Sequence, residues 1–143
     1  MKMNAFNIAN AFKLKKERGW EKVYFAIDLH NTICPSKREK SGEHTDFYPH
    51  AKETLQMMSR RKDVCIILWT SSYILELNDT LKWLKDNEIR IDYVNENPEC
   101  ISTRLGDFSK KFWCSCIIDD KSGFEGKKDW LLVRQELDKC PEE

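Results

Sequence analysis

The stretch Val23–Cys34, Val-Tyr-Phe-Ala-Ile-Asp-Leu-His-Asn-Thr-Ile-Cys, constrains this chain more than any other. An apolar run ends abruptly in Asp28. Val, Tyr, Phe and Ile suit a pleated backbone, and a run without alternation suits a strand covered on both faces. Open α/β sheets built from such strands bind ligands outside the carboxyl ends of the strands. A carboxylate in that position is therefore a candidate site residue. A period of two continued past Asp28 would point Asp28, His30 and Thr32 the same way. It would gather an anion, an imidazole and a hydroxyl around one small space.

The rest of the chain supplies companions for this strand. Residues 4–18 predict a helix with Phe6, Ile8, Ala11, Phe12 and Leu14 apolar, stopped by Gly19. The first strand is placed over 22–28, and Cys34–Tyr48 is a polar loop over its end. Pro49 is expected to open a helix reaching about Arg61, with Ala51, Leu55 and Met58 inside. Val64–Trp69 is a second strand, apolar on both faces. The hydroxyl residues Thr70-Ser71-Ser72 are suited to capping a helix over 73–87, whose inner stripe is Ile74, Leu77, Leu81 and Leu84. Ile89–Val94 is a shorter third strand, and residues 95–111 are polar and irregular. Trp113–Ile118 is a fourth strand ending in Asp119-Asp120, and Asp129–Lys139 a terminal helix. Trp69 and Trp113 are expected in the core, and Trp130 reads as a helix anchor.

Strands alternating with helices imply an α/β fold with a central parallel sheet and right-handed crossovers. At 143 residues one core suffices. The expected organisation is a helical extension over 1–20 and a single domain over 21–143.

Composition narrows the function classes. Lys plus Arg and Asp plus Glu are both 24, so no global field favours nucleic acid or membrane. No apolar run approaches the roughly 18 residues of a membrane span, and the N-terminus lacks the h-region of a secretory signal. The expected location is cytoplasmic. None of the six Cys forms a Cys-x-x-Cys pair, so reduced thiols are expected. His30 and Cys34 with His44 or His50 match no familiar zinc spacing. His44 and His50 read as ordinary loop and helix-start residues.

Three strand ends carry chemistry on one sheet edge: Asp28, His30 and Thr32, then Thr70 and Ser71, then Asp119 and Asp120. Lys110 and Lys111 precede the last strand. Carboxylates from separate strands can hold Mg²⁺, a hard ion that takes oxygen ligands. One Asp can then attack phosphorus. Hydroxyls and N–H groups at a helix start can hold phosphate oxygens, and a Lys can neutralise developing charge.

In this order, Asp28-Leu-His-Asn-Thr32, Ile66-Ile-Leu-Trp-Thr70, Lys111 and Ile117-Ile-Asp-Asp120 resemble the four motifs of the haloacid dehalogenase-like superfamily. The resemblance spans about residues 22–138. It is strongest to small, largely capless members, and the 5′(3′)-deoxyribonucleotidases carry a similar Ile-Asp-Asp ending. It implies a three-layer, Rossmann-like α/β/α fold without a large cap, and a Mg²⁺-dependent phosphohydrolase working through an aspartyl phosphate. By resemblance, Asp28 is nucleophile and metal ligand, and the His30 backbone carbonyl a further ligand. Asp120 binds metal with Asp119 supporting, or the reverse. Thr70 holds the phosphoryl group beside Ser71, and Asn31 and Thr32 join the phosphate-binding loop. Lys111 or Lys110 is the charge-neutralising lysine. The implied partner is a small phosphorylated substrate, with nucleotides the favoured class.

One departure stands inside the first motif. His30 occupies the place where active members carry an acid/base Asp. Imidazole is a competent acid or base near neutral pH, so His30 is assigned that role. The alternative is a catalytically impaired domain that binds a phosphorylated ligand or a protein partner. A phosphotransferase with a long-lived aspartyl phosphate is a third reading.

Overall fold

The structure, a computed structural model, describes residues 4–36 and 46–142. His44 and most of the loop expected over Cys34–Tyr48 lie outside the described residues. A 3-10 turn at Ala5–Asn7 leads into α1 (Ile8–Arg18). The elements that follow are β1 (Val23–Asp28), α2 (Ala51–Ser59), β2 (Val64–Trp69), α3 (Ile74–Asp86), β3 (Tyr93–Val94), β4 (Ser102–Thr103), β5 (Gly106–Asp107), β6 (Cys116–Ile118) and α4 (Trp130–Asp138). A second 3-10 turn, Asp120–Ser122, follows β6.

The main sheet is parallel throughout, in the order β3-β2-β1-β6. The chain builds outward from β1 to β2 and β3, then returns to the other side of β1 to lay down β6. The fold is a Rossmann-like α/β fold: a central parallel sheet flanked by helices, with no large cap. The reversal makes the gap beyond β1 and β6 a topological switch point, where open sheets leave a crevice.

Register assigns the two faces. Phe25 is level with Ile66 and Cys116, and Ile27 with Leu68 and Ile118. These residues share one core with Ile8 and Ala11 of α1, Ala51, Leu55 and Met58 of α2, Leu84 of α3, and Trp130, Val133 and Leu137 of α4. The expected inner stripe of α2 is fully buried. Burying each such Leu or Met contributes about 1.5–3 kcal/mol. The N-terminal helix is therefore part of the core. A buried pair reinforces it: Arg61 donates to both carboxylate oxygens of Asp63 at 2.8 Å and lies 4.7 Å over the Phe12 ring.

The other face carries Tyr24, Ala26 and Asp28 of β1, level with Cys65, Ile67 and Trp69 of β2, and Ile117 of β6, level with Ala26. Segment 95–115 crosses this face: Glu99 accepts from Tyr24 and Tyr93, and Phe112 meets Trp69 edge-on at 5.2 Å.

Several expected boundaries move, for identifiable reasons. β3 is two residues long because the Asp92 side chain takes the Ile66 N–H that a strand carbonyl would accept. β6 starts at Cys116 because the Ser115 hydroxyl takes the Tyr24 N–H. α2 begins at Ala51, after His50 in the left-handed region (φ 66°). The Pro49 ring therefore lies in the turn before the helix. Thr70-Ser71-Ser72 does not cap α3; Tyr73 stands at that position without a side-chain cap. Ile74 is 71% exposed and Trp69 is 44% exposed, so neither belongs to the core. Trp130 is fully buried. The β4–β5 hairpin lies inside the stretch expected to be irregular.

Candidate functional site

Asp28 stands at the carboxyl end of β1, and Asp119 and Asp120 follow β6 on the neighbouring strand. Their carboxylates offer three oxygens that all lie within 4.8 Å of one another, and all three residues are half-buried. The expected convergence of the first and last strand ends is thus realised at the switch point.

Thr32 holds this arrangement together. Its hydroxyl donates to Asp28 Oδ2 at 2.9 Å and accepts the Asp120 N–H at 3.1 Å. Its carbonyl accepts the Trp130 indole N–H at 2.7 Å. Thr32 is fully buried, so its polar atoms are satisfied by these partners. The Asp28–Thr32 proximity does not come from strand alternation. The chain turns after Leu29, whose carbonyl accepts from Thr32, Ile33 and Cys34 N–H groups. Asn31 sits in the turn at φ 63°, with its N–H on the Cys34 carbonyl. Asn tolerates this left-handed position better than most residues. The turn brings residue 32 back to residue 28, and no ring nitrogen of His30 joins the acidic set.

Asp119 also shapes its own loop: its carboxylate accepts the Lys121 N–H at 3.0 Å and its carbonyl the Ser122 hydroxyl at 2.9 Å. The Asp28 carboxyl is pushed up to about 7. Burial is the largest cause, and Asp119 and Asp120 add to it. The bonds from Thr32 and the Leu29 N–H oppose it. Burial and Asp28 together push the neighbouring Cys34 thiol up to about 12, which makes it a poor nucleophile.

A cation fits this donor set. Oxygen ligands at about 2.1 Å around Mg²⁺ stand about 3–4 Å from one another, compatible with the spacing here. The like charges that raise Asp28 would be relieved by such an ion.

The second strand end contributes Thr70, one residue past Trp69, which is level with Asp28. The Thr70 hydroxyl pairs with the Ser72 hydroxyl at 2.8 Å and accepts the Ser72 N–H. Ser71 is exposed. Asn95, at φ 56°, clasps Thr70 through both its N–H and its carbonyl at 2.8 Å. Its place in a polar loop gave no sign of this. Lys110 and Lys111 are exposed, and among the described residues no ion pair joins either to the three aspartates. His50 is exposed and stands apart from the cluster. All six thiols are free.

No family model matches the sequence, and no curated protein does. A solved structure is similar: that of a conserved protein from Bacteroides thetaiotaomicron, at 22% identity and a TM-score of 0.62. The match covers 84% of this chain and 93% of that one. Likeness at this identity shows the fold alone. Among the described residues no helix is long and apolar enough to cross a membrane.

Proposed function

We propose that the chain is a Mg²⁺-dependent phosphohydrolase of the haloacid dehalogenase-like kind, acting on phosphomonoesters with nucleotides the favoured class. The observation that carries the reading is the meeting of Asp28, Asp119 and Asp120 at the switch point. Asp28, the His30 carbonyl, and Asp120 with or without Asp119 would hold the ion. Bound there, Mg²⁺ would neutralise the carboxylates and allow an anionic phosphate to enter. An Asp28 oxygen attacks phosphorus in line, and the bond to the leaving oxygen breaks as the new P–O bond forms. His30 protonates the leaving oxygen. It then takes a proton from the water that attacks phosphorus, releasing phosphate and restoring Asp28. Thr70 and Ser71 hold phosphoryl oxygens, Asn31 lines the loop, and Lys111 or Lys110 swings in as counter-charge.

The second reading is a binding domain with impaired turnover. It is favoured by the His30 ring lying outside the acidic set and by the two lysines standing in solvent. Purified protein assayed with Mg²⁺ against a panel of phosphomonoesters separates the two. Turnover that Asp28→Asn abolishes is the expected result. A silent wild type, with activity appearing only in His30→Asp, would establish the binding reading instead.

A further inference from the structure

We propose a second binding site at the opposite end of the sheet: a cleft of about 710 Å³ that takes a small planar aromatic anion, a flat ring carrying phosphate or carboxylate. Its volume lies in the range of small-molecule sites, roughly 300–1,000 Å³. Lys22 and Tyr24 line it at the amino end of β1, and Asp28 closes the carboxyl end. At about 3.3 Å per residue, the acidic cluster is roughly 15 Å away.

The local sequence builds the cleft. Gly19, at φ 67°, ends α1 and turns Trp20 back so that its N–H reaches the Lys15 carbonyl. Trp20 meets Trp113 edge-on at 5.9 Å, and Phe108 meets Trp113 at 5.6 Å. An edge-to-face contact covers a face of only one of its two rings. The floor is electrically settled. Glu99 accepts from Lys22 Nζ at 2.8 Å and from the Tyr24 hydroxyl at 3.1 Å, so this carboxylate has its counter-charge already.

Two cations remain for an incoming anion. The Arg18 guanidinium lies 5.4 Å over the Trp20 ring. Arg104 stands at the tip of the β4–β5 turn and lines the same cleft. Both are exposed, and neither has an ion pair among the described residues. Glu21 is the second acid in the lining, beside the paired Glu99. An aromatic slot with guanidinium groups at its rim suits a ring and an anion in one molecule, because arginine both stacks and pairs with oxyanions. The even charge balance of the chain argues for a small ligand over a polyanion.

The test is tryptophan fluorescence of the full chain titrated in EDTA, which removes cation-dependent binding at the aspartates. The probes are AMP, nicotinate, adenosine and a short oligothymidylate. Saturable quenching by AMP or by nicotinate is expected, and which one binds identifies the anion. Adenosine is expected to bind about fivefold more weakly than AMP if phosphate is the anion. The surface double variant Arg18→Gln/Arg104→Gln is expected to raise the Kd about fivefold or more. Asp28→Asn is expected to leave it unchanged. Trp20→Leu is expected to remove most of the quenching. Four outcomes overturn the proposal: no saturable binding of either anion, AMP binding no tighter than adenosine without any response to nicotinate, binding indifferent to loss of both arginines, or oligothymidylate binding more than about tenfold tighter than AMP.

Discussion

At the Asp28 carboxyl, two physical demands oppose each other. Burial and two neighbouring acids favour the protonated form, while Thr32 and the Leu29 N–H favour the ionised one. The balance leaves the group near 7 in the folded chain, against 3.8 for an unperturbed Asp. A carboxyl raised by folding binds its proton more tightly when folded. Its stabilising contribution is therefore complete below about pH 4 and is lost as pH rises through about 7. In EDTA, stability against urea is expected to fall between about pH 4 and pH 7. Asp28→Asn should flatten that slope and exceed the wild type at pH 8 by about 2 kcal/mol, a value discounted for partial solvent exposure. An Asp28→Asn variant no more stable than wild type would mean that burial and the two neighbouring acids do not disfavour the Asp28 charge. Asp28 and the Asp119-Asp120 pair were legible in the sequence, because each ends an apolar run. The role of Thr32 was legible only as proximity: its hydroxyl reaches Asp28 through a turn closed on the Leu29 carbonyl, which periodicity does not describe.

Two glycines show how the connections between elements matter more than their composition suggests. Gly19 ends α1 at φ 67°, and a Cβ there would meet nothing within 4 Å. Gly19→Ala therefore costs only the left-handed backbone, about 1 kcal/mol. Gly126 lies between β6 and α4, and a Cβ there would collide with the Tyr48 ring and stand 2.9 Å from the Thr32 carbonyl. That carbonyl already holds the Trp130 indole. Gly126→Ala is expected to cost about 2–3 kcal/mol, and to weaken Mg²⁺ binding as well, because displacing Thr32 moves Asp28 and Asp120. Paired urea denaturation of the two variants checks the order; equal losses would contradict the close approach. At this scale β2 was fully legible, since its six residues form one apolar run. The β4–β5 hairpin was not. Its turn residues are Arg104 and Leu105, neither at positive φ among the described residues, so the Gly and Asn that announce tight hairpins are missing.

For the whole molecule, the proposed cation at the aspartates would link distant parts of the chain. β1 and β6 are separated by most of the sequence, and an ion held between their ends binds the folded state only. Mg²⁺ at about one hundred times its Kd should add about 2.7 kcal/mol of stability, readable as an upward thermal shift of several degrees. Asp120→Asn should abolish the shift. A wild type indifferent to Mg²⁺ would remove the basis of the proposed chemistry. The sequence by itself determined the apolar cores of β1 and β2, the inward face of α2 and the three carboxylates, because run length and periodicity are properties of neighbouring side chains on one element. Tertiary structure alone decided which sheet face is covered. Trp69 reads as core in an apolar strand, yet the irregular segment that crosses its face leaves it half in solvent. It also decided that Lys110 and Lys111 are exposed, with no ion pair to the three aspartates among the described residues, and that Trp20, Trp113 and Phe108 form one cleft. Such contacts join residues whose proximity depends on the path of a long connection, and no local pattern encodes that path.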